Sequence, residues 1–345
     1  MTVPANVVKP AGEPESADDP IVSVRGLTVE FKLGRNRILH ALNDVSIELS
    51  PGQTLGVIGE SGSGKSTLAR AIMGLSPIAA GEITIAGMRT ESMSHKQRRR
   101  HRGVVQMVFQ DPSESLDPRL PVAKSIAEPL TIQHGLKGRA LTSRVAELLD
   151  RVGLSQRQGE RKPRDLSGGQ RQRVNIARAL ALDPKVLICD EAVSALDVSI
   201  QADILNLLVD LQQDTGIAYL FISHDIGVVS RVCNDIAVMY LGGIIERGPT
   251  ADVVNMPAHP YTEALLSAEP QALPSRYRKR EQILLEGELP SPLNPPTGCR
   301  FRTRCRYATE LCNEPPESHS AAEAGHEASC HFVGELALRG TTHVA

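Results

Sequence analysis

The stretch 54-TLGVIGESGSGKSTLARAIMGL-75 decides the fold. It opens on 54-TLGVI-58, a short and nearly all apolar run that suits a strand covered on both faces. It closes on a helical stretch, 67-TLARAIMGL-75. Between them, 59-GESGSGKST-67 fits G-x-x-x-x-G-K-[ST], with the strand before and the helix after that this motif requires. Gly59, Gly62 and Gly64 let the backbone curl so that consecutive N–H groups point inward at phosphate oxygens, and the helix adds the positive end of its dipole. The candidate cradle is Gly59, Ser61, Gly62, Ser63, Gly64, Lys65, Ser66 and Thr67. In it Lys65 serves the β and γ phosphates, and the Ser66 hydroxyl serves Mg²⁺.

A magnesium site needs a carboxylate, and 186-VLICDE-191 supplies one at the end of an apolar strand. Asp190 is the candidate for orienting the ion and its water. Glu191 is placed to take a proton from an attacking water, or to position it. An acidic pair ending a strand is by itself most often a cap or turn, so the phosphate loop is what gives this pair meaning.

Strands are also predicted at 104-VVQMVF-109, 186-VLIC-189, 218-AYLFI-222 and 236-IAVMY-240, alternating with helical stretches from Ile21 to about Arg247. That alternation predicts an α/β domain with a largely parallel sheet. Between Asp111 and Asp165 helical signals take over, as in 142-TSRVAELLDRVG-153, which predicts a helical subdomain inserted at about 111–165. The division expected is a disordered leader over 1–20, a nucleotide-binding domain over 21–256, and a C-terminal extension over 257–345. Within the last of these, 289-LPSPLNPPTG-298 reads as a stiff, extended segment.

Composition narrows the partners. The 345 residues carry 38 basic and 40 acidic side chains, which removes the general electrostatic argument for nucleic acid or anionic lipid. The basic runs 96-KQRRRHR-102 and 276-RYRKR-280 read as solvated faces. The N-terminus has neither the charged start nor the apolar core of a signal peptide, and no apolar run reaches the length that spans a bilayer. A soluble or peripheral chain is expected, with reduced thiols or metal ligands rather than disulfides.

The run 166-LSGGQRQRVNIARAL-180 lies shortly before Asp190, and with it the chain resembles the ATP-binding subunits of ABC transporters over nearly its whole length. Ser167 and Gly168 open a helix whose amides can hold a phosphate, a second anion site on the same chain. The resemblance implies a head-to-tail dimer in which ATP lies between one subunit's phosphate loop and the other's Ser167, Gly168, Gly169 and Gln170. It also implies that Phe31 stacks on adenine, that Gln110 senses Mg²⁺ and γ-phosphate, that Asp197 signals across the dimer, and that His224 touches the γ-phosphate. Ala192 departs from the family, where many relatives have proline after the catalytic acid, but no chemical group is lost.

Within the family the likeness is to oligopeptide and dipeptide importers, particularly their F-type ATPase subunit, through 193-VSALDVSIQA-202, 259-HPYTEALLSA-268 and 286-EGELPSPLNPPTGCRFRTRC-305. This implies a D-type ATPase partner, two membrane permeases, an external substrate-binding protein, and a peripheral place on the cytoplasmic face of the cell membrane. A groove near Gln110 and 111-DPSESLDPRL-120 is expected to receive a permease helix. The competing readings are a soluble ABC ATPase acting on nucleic acid or ribosomes, and a nucleotide-binding regulator without turnover. Only about a hundred residues separate Lys65 from Ser167, with one cassette and no long coiled coil, which disfavours the first. The second is disfavoured by a full set of chemical groups at Lys65, Ser167, Asp190, Glu191 and His224.

Six cysteines remain. Cys189 and Cys233 fall in apolar or helical stretches and are expected to be buried. Cys299, Cys305, Cys312 and Cys330 are separated by five, six and seventeen residues, which argues against a zinc finger or ribbon. Four thiolates can also hold an iron–sulfur cluster, and the nearby arginines offset the charge of either centre. The peptide-importer resemblance implies a [4Fe–4S] cluster first, zinc second and metal-free thiols third.

Overall fold

A computed structural model describes residues 19–34, 37–110, 115–269, 282–321 and 325–340. Most of the expected leader (1–18), the basic run 276–280 and residues 111–114 of the expected groove lie outside the described residues.

The chain opens with strands β1 (Val22–Lys32), β2 (Ile38–Leu49) and β3 (Thr54–Ile58). Then come α1 (Lys65–Ile72), β4 (Ala80–Ile85), β5 (Met88–Arg89), α2 (His95–His101) and β6 (Val105–Val108). Three helices follow without a strand: α3 (Val122–His134), α4 (Gly138–Arg151) and the single turn α5 (Gln156–Gly159). Next are α6 (Gly168–Leu180), β7 (Val186–Asp190), α7 (Val198–Thr215), β8 (Ala218–Ser223), α8 (Ile226–Val232), β9 (Asp235–Tyr240) and β10 (Gly243–Pro249). After α9 (Thr250–Asn255) and α10 (Pro260–Ser267), the described tail adds two very short strands, β11 (His319–Ser320) and β12 (Glu327–Ala328).

Among the described residues these strands form two sheets. The larger runs β11-β12-β10-β9-β3-β8-β7-β6, and its centre, β9 to β6, is parallel. A second sheet, β2-β1-β4-β5, is antiparallel. The five strands predicted in the parallel sheet are present, whereas the sequence pattern does not predict the antiparallel sheet. Its strands do alternate, but β1 carries a register shift between Val24 and Leu27, where Gly26 adopts φ +58°. That bulge breaks the period of two on which a strand is recognised.

The parallel strands are continuously apolar because each faces two cores. Leu187, Cys189, Tyr219 and Phe221 pack towards α4, α6 and α7. Ile188, Leu220, Ile222 and Val57 pack towards α1 and the antiparallel sheet. Successive side chains of a strand point to opposite faces, so the interior of β7 and β8 is apolar and polar side chains enter only at their carboxyl ends, at Asp190 and Ser223.

The tail is bound into this framework. Strand β12 pairs with β10, Glu246 opposite Ala328 and Arg247 opposite Glu327. Phe301 is 1% exposed, and its ring centroid lies 5.3 Å from that of Tyr240 and 5.4 Å from that of Tyr261. No helix among the described residues is long and apolar enough to cross a membrane.

Candidate nucleotide site

Strands β3, β8, β7 and β6 lie side by side and parallel, so their carboxyl ends open onto one edge of the sheet. The loop from Gly59 leaves β3 there, His224 follows β8, Asp190 and Glu191 end β7, and Gln110 lies just beyond β6. Segments far apart in sequence meet in the crevice that a parallel sheet creates at its carboxyl edge.

The phosphate loop is held closely from below. A Cβ built on Gly59, where φ is +153°, would overlap the Met239 carbonyl oxygen, so only glycine fits. The β9–β10 turn braces the loop as well, because Gly242 N–H donates to the Ser63 carbonyl at 2.8 Å. Ser61 and Gly62 are exposed at the tip, Gly64 leads into α1, and Ser66 and Thr67 are half-buried in its first turn.

Lys65 is only 5% exposed, and its Nζ donates to the carbonyls of Gly59 at 2.7 Å and Glu60 at 2.9 Å. Burial pulls its pKa down, opposed by the negative charges of Glu191, Asp190 and Glu60. Among the described residues the buried Ser63 hydroxyl has no hydrogen-bond partner. An unpaired buried donor within an anion-shaped loop fits a phosphate oxygen.

Ser66 Oγ donates to Asp190 Oδ1 at 3.1 Å. Burial raises the Asp190 pKa and Glu191 adds to the rise, while Ser66, Arg70 and Lys65 oppose it. A hydroxyl beside a carboxylate is the hard oxygen set that Mg²⁺ takes, so these residues fit a magnesium-bound nucleotide.

Glu191 stands in the left-handed region, φ +48°, at a cost of about 1 kcal/mol for a side chain of this kind. Its amide donates to the Ile222 carbonyl at 2.9 Å, tying the end of β7 to β8. Its carboxylate lies between Gln110 and His224, two residues expected at the site but not as its partners. Gln110 Nε2 donates to Oε2 at 2.8 Å, and His224 Nδ1 stands 3.4 Å from Oε1. A carboxylate so held can orient a water and accept its proton.

The remaining expected residues lie elsewhere. Phe31, on β1, is half-buried against the core beneath the antiparallel sheet. Ser167 caps α6 through a capping box, its Oγ accepting from Gln170 N–H at 3.3 Å while Gln170 Oε1 accepts from Ser167 N–H at 3.1 Å. A Cβ on Gly169 would stand 2.5 Å from Ile200 Cγ2, so Gly169 lets α6 approach α7, and Gly168 lies beside Leu196. Asp197 is exposed at the start of α7. Among the described residues, no hydrogen bond joins residues 167–170 or Asp197 to the phosphate loop.

The sequence reading missed the supports of the loop. Glu60 N–H donates to the Tyr261 hydroxyl at 2.8 Å, and the Glu60 carboxylate meets Arg304. In sequence, the stretches holding Tyr261 and Arg304 carry only a family likeness.

The expectation of an iron–sulfur or zinc centre is corrected. Among the described residues no group of three or more His, Cys, Asp or Glu side chains could hold a metal ion, and Cys299, Cys305, Cys312 and Cys330 are all described. Cys312 and Cys330 are buried, while Cys299 and Cys305 pack against the main core. Burial pushes the Cys305 thiol up to about 11 and raises Cys299 and Cys330. These sulfurs serve as small packing groups.

Comparison with known proteins agrees with this geometry. Residues 42–194 match the ABC transporter family, and residues 245–312 match the oligopeptide/dipeptide transporter C-terminal region. An oligopeptide transport ATP-binding protein of Haemophilus influenzae is 46% identical over 319 residues, 90% of this chain and 96% of the relative. A di/tripeptide transport ATP-binding protein of Pseudomonas aeruginosa is 46% identical over 324 residues, 92% of this chain and 99% of the relative. The dimeric ATP-binding cassette MJ0796, solved in a post-hydrolysis state with ADP and Pi, superposes with a TM-score of 0.61 at 30% identity, covering 66% of this chain and 98% of that one. The chain therefore belongs to the ABC transporter ATP-binding proteins that carry the oligopeptide/dipeptide transporter C-terminal region, and it is an ABC-type ATPase.

Proposed function

We propose that the chain is the ATP-hydrolysing subunit of a membrane importer of dipeptides or oligopeptides. The observation that carries this reading is the joining, in one chain, of an ABC cassette to the C-terminal region of oligopeptide and dipeptide transporters. The relatives' names add that peptides are the transported class.

In this reading Ser66, Asp190 and Gln110 would hold Mg²⁺, which would neutralise charge on the phosphates. The loop amides and Lys65 bind the β and γ phosphates, and Phe31 meets the adenine. Glu191 orients the attacking water and accepts its proton, with Gln110 and His224 placing its carboxylate and reporting on the γ-phosphate. Ser167, Gly168, Gly169 and Gln170 serve the nucleotide on a second ATPase subunit in a head-to-tail dimer, and Asp197 carries the signal between subunits. The absence of hydrogen bonds between this segment and the phosphate loop within the described chain is consistent with a partner supplying it.

The domain reading is a cassette over 21–256, with helices in the 111–165 region as the subdomain facing the membrane, and an extension over 257–345. Exposed Phe109 and Leu120 flank the surface where a permease helix docks. The partners are a D-type ATPase subunit, two permeases and, indirectly, an external binding protein, with the chain on the cytoplasmic face of the membrane. Purification from native membranes through a tag on this chain tests the assembly. Recovery of permeases supports it, and recovery of ribosomes or nucleic acid without permeases overturns it.

A further inference from the structure

The C-terminal extension reaches the phosphate loop at Glu60, through Arg304 and Tyr261. Arg304 Nη1 donates to Glu60 Oε2 at 2.8 Å and Nη2 to Oε1 at 3.3 Å, a two-pronged pair with Arg304 only 9% exposed. Glu60 N–H donates to the buried Tyr261 hydroxyl, and the Glu60 carbonyl accepts from Lys65 Nζ and, at 3.2 Å, from Ser63 N–H. Arg304 itself rests on a firm base, since its N–H donates to the Phe301 carbonyl and Phe301 packs against both Tyr240 and Tyr261.

The electrostatics define what this contact does. Glu60 is the second residue of a loop shaped for a polyanion, and an unpaired carboxylate there repels phosphate and competes for the Lys65 ammonium. Arg304 neutralises that charge, and its planar fork fixes the carboxylate in one orientation as a lysine could not. A second arginine of the same segment acts nearby. Arg300 donates to the carbonyls of Leu241 at 2.8 Å and Asn43 at 3.1 Å, holding the turn whose Gly242 supports Ser63.

We propose that Arg304 is a positioning residue for ATP binding, acting from the C-terminal tail through Glu60 to keep the phosphate loop shaped and its lysine available. The tail thereby sets nucleotide affinity in the cassette, whatever solute the transporter carries. The inference rests on the loop's binding of ATP and not on the peptide reading.

The test is equilibrium binding of a fluorescent ATP analogue, with Mg²⁺, to the full chain, paired with steady-state hydrolysis. Arg304→Ala is expected to raise Kd and KM about tenfold, the order of one lost charge-assisted hydrogen bond, with kcat within about twofold. Arg304→Lys restores part of the affinity. In a Glu60→Gln background, Arg304→Ala has little further effect, because the carboxylate it serves is gone. A general loss of folding is recognised by the melting of the free protein, and Arg304→Lys then carries the test. Unchanged ATP affinity in Arg304→Ala, or an equal loss in the Glu60→Gln background, overturns the proposal. Failure of the unmodified chain to bind the analogue overturns both it and the nucleotide reading beneath it.

Discussion

Gln110 and Glu191, 81 positions apart, meet side chain to side chain, Nε2 to Oε2 at 2.8 Å, with His224 at the opposite carboxylate oxygen. The carboxylate is thereby fixed in direction, on a backbone that is itself in a costly conformation. Replacing Glu191 with Gln keeps size and hydrogen bonding but removes the proton acceptor. ATP binding is expected to persist while kcat falls about 10²- to 10⁴-fold, read by turnover and nucleotide retention. Undiminished turnover removes Glu191 from the mechanism.

Gly59→Ala sets a methyl group against the Met239 carbonyl oxygen, and a backbone atom cannot swing away. The loop has to shift or the sheet edge has to open. Destabilisation of about 2 kcal/mol or more and loss of ATP binding are expected, measured by denaturant midpoint and nucleotide titration.

Phe301→Ala removes the tail's aromatic anchor from its place against Tyr240 and Tyr261. For a side chain this buried the cost is about 3–5 kcal/mol. A single cooperative unfolding transition at lower midpoint is expected, since the tail shares the cassette's core. A cassette that melts unchanged while the tail alone loosens contradicts a shared core.

His259 gives a pH dependence with a definite sign. It is 2% exposed, its Nδ1 accepts from Tyr261 N–H at 3.0 Å, and burial lowers its pKa from 6.5 to about 3. The folded chain keeps the ring neutral while the unfolded chain protonates it below 6.5. This contribution to stability is therefore complete above 6.5 and is lost as pH falls towards 3, by up to about 1.4 kcal/mol per pH unit. His259→Asn keeps an acceptor at the start of α10 and removes the titration, so its acid-side slope is expected to be shallower. Equal slopes assign the acid sensitivity to other groups.

What could be read in the sequence follows from how local each constraint is. The phosphate loop was legible because a curled backbone demands Gly59, Gly62 and Gly64 at fixed spacing, and β3, β7 and β8 were legible because two cores keep the interior of each strand apolar. The role of Phe301 was not, since it sits among arginines and its apolar surroundings, Tyr240 and Tyr261, come from distant segments. Nor was the antiparallel sheet, whose alternation is interrupted at Gly26. The peptide-importer likeness implied a metal at the four tail cysteines, whereas the fold uses those sulfurs for packing. The partners of Glu60 emerged only in three dimensions, because Tyr261 and Arg304 are about two hundred or more positions away.

The most direct test of the account is ATP hydrolysis by the assembly purified from native membranes through this chain, with and without a mixture of short peptides and the external binding protein. Turnover that rises with peptide and is abolished by Glu191→Gln is the expected result. Turnover indifferent to peptide but stimulated by nucleic acid or ribosomes, or surviving in the Glu191→Gln assembly, contradicts it.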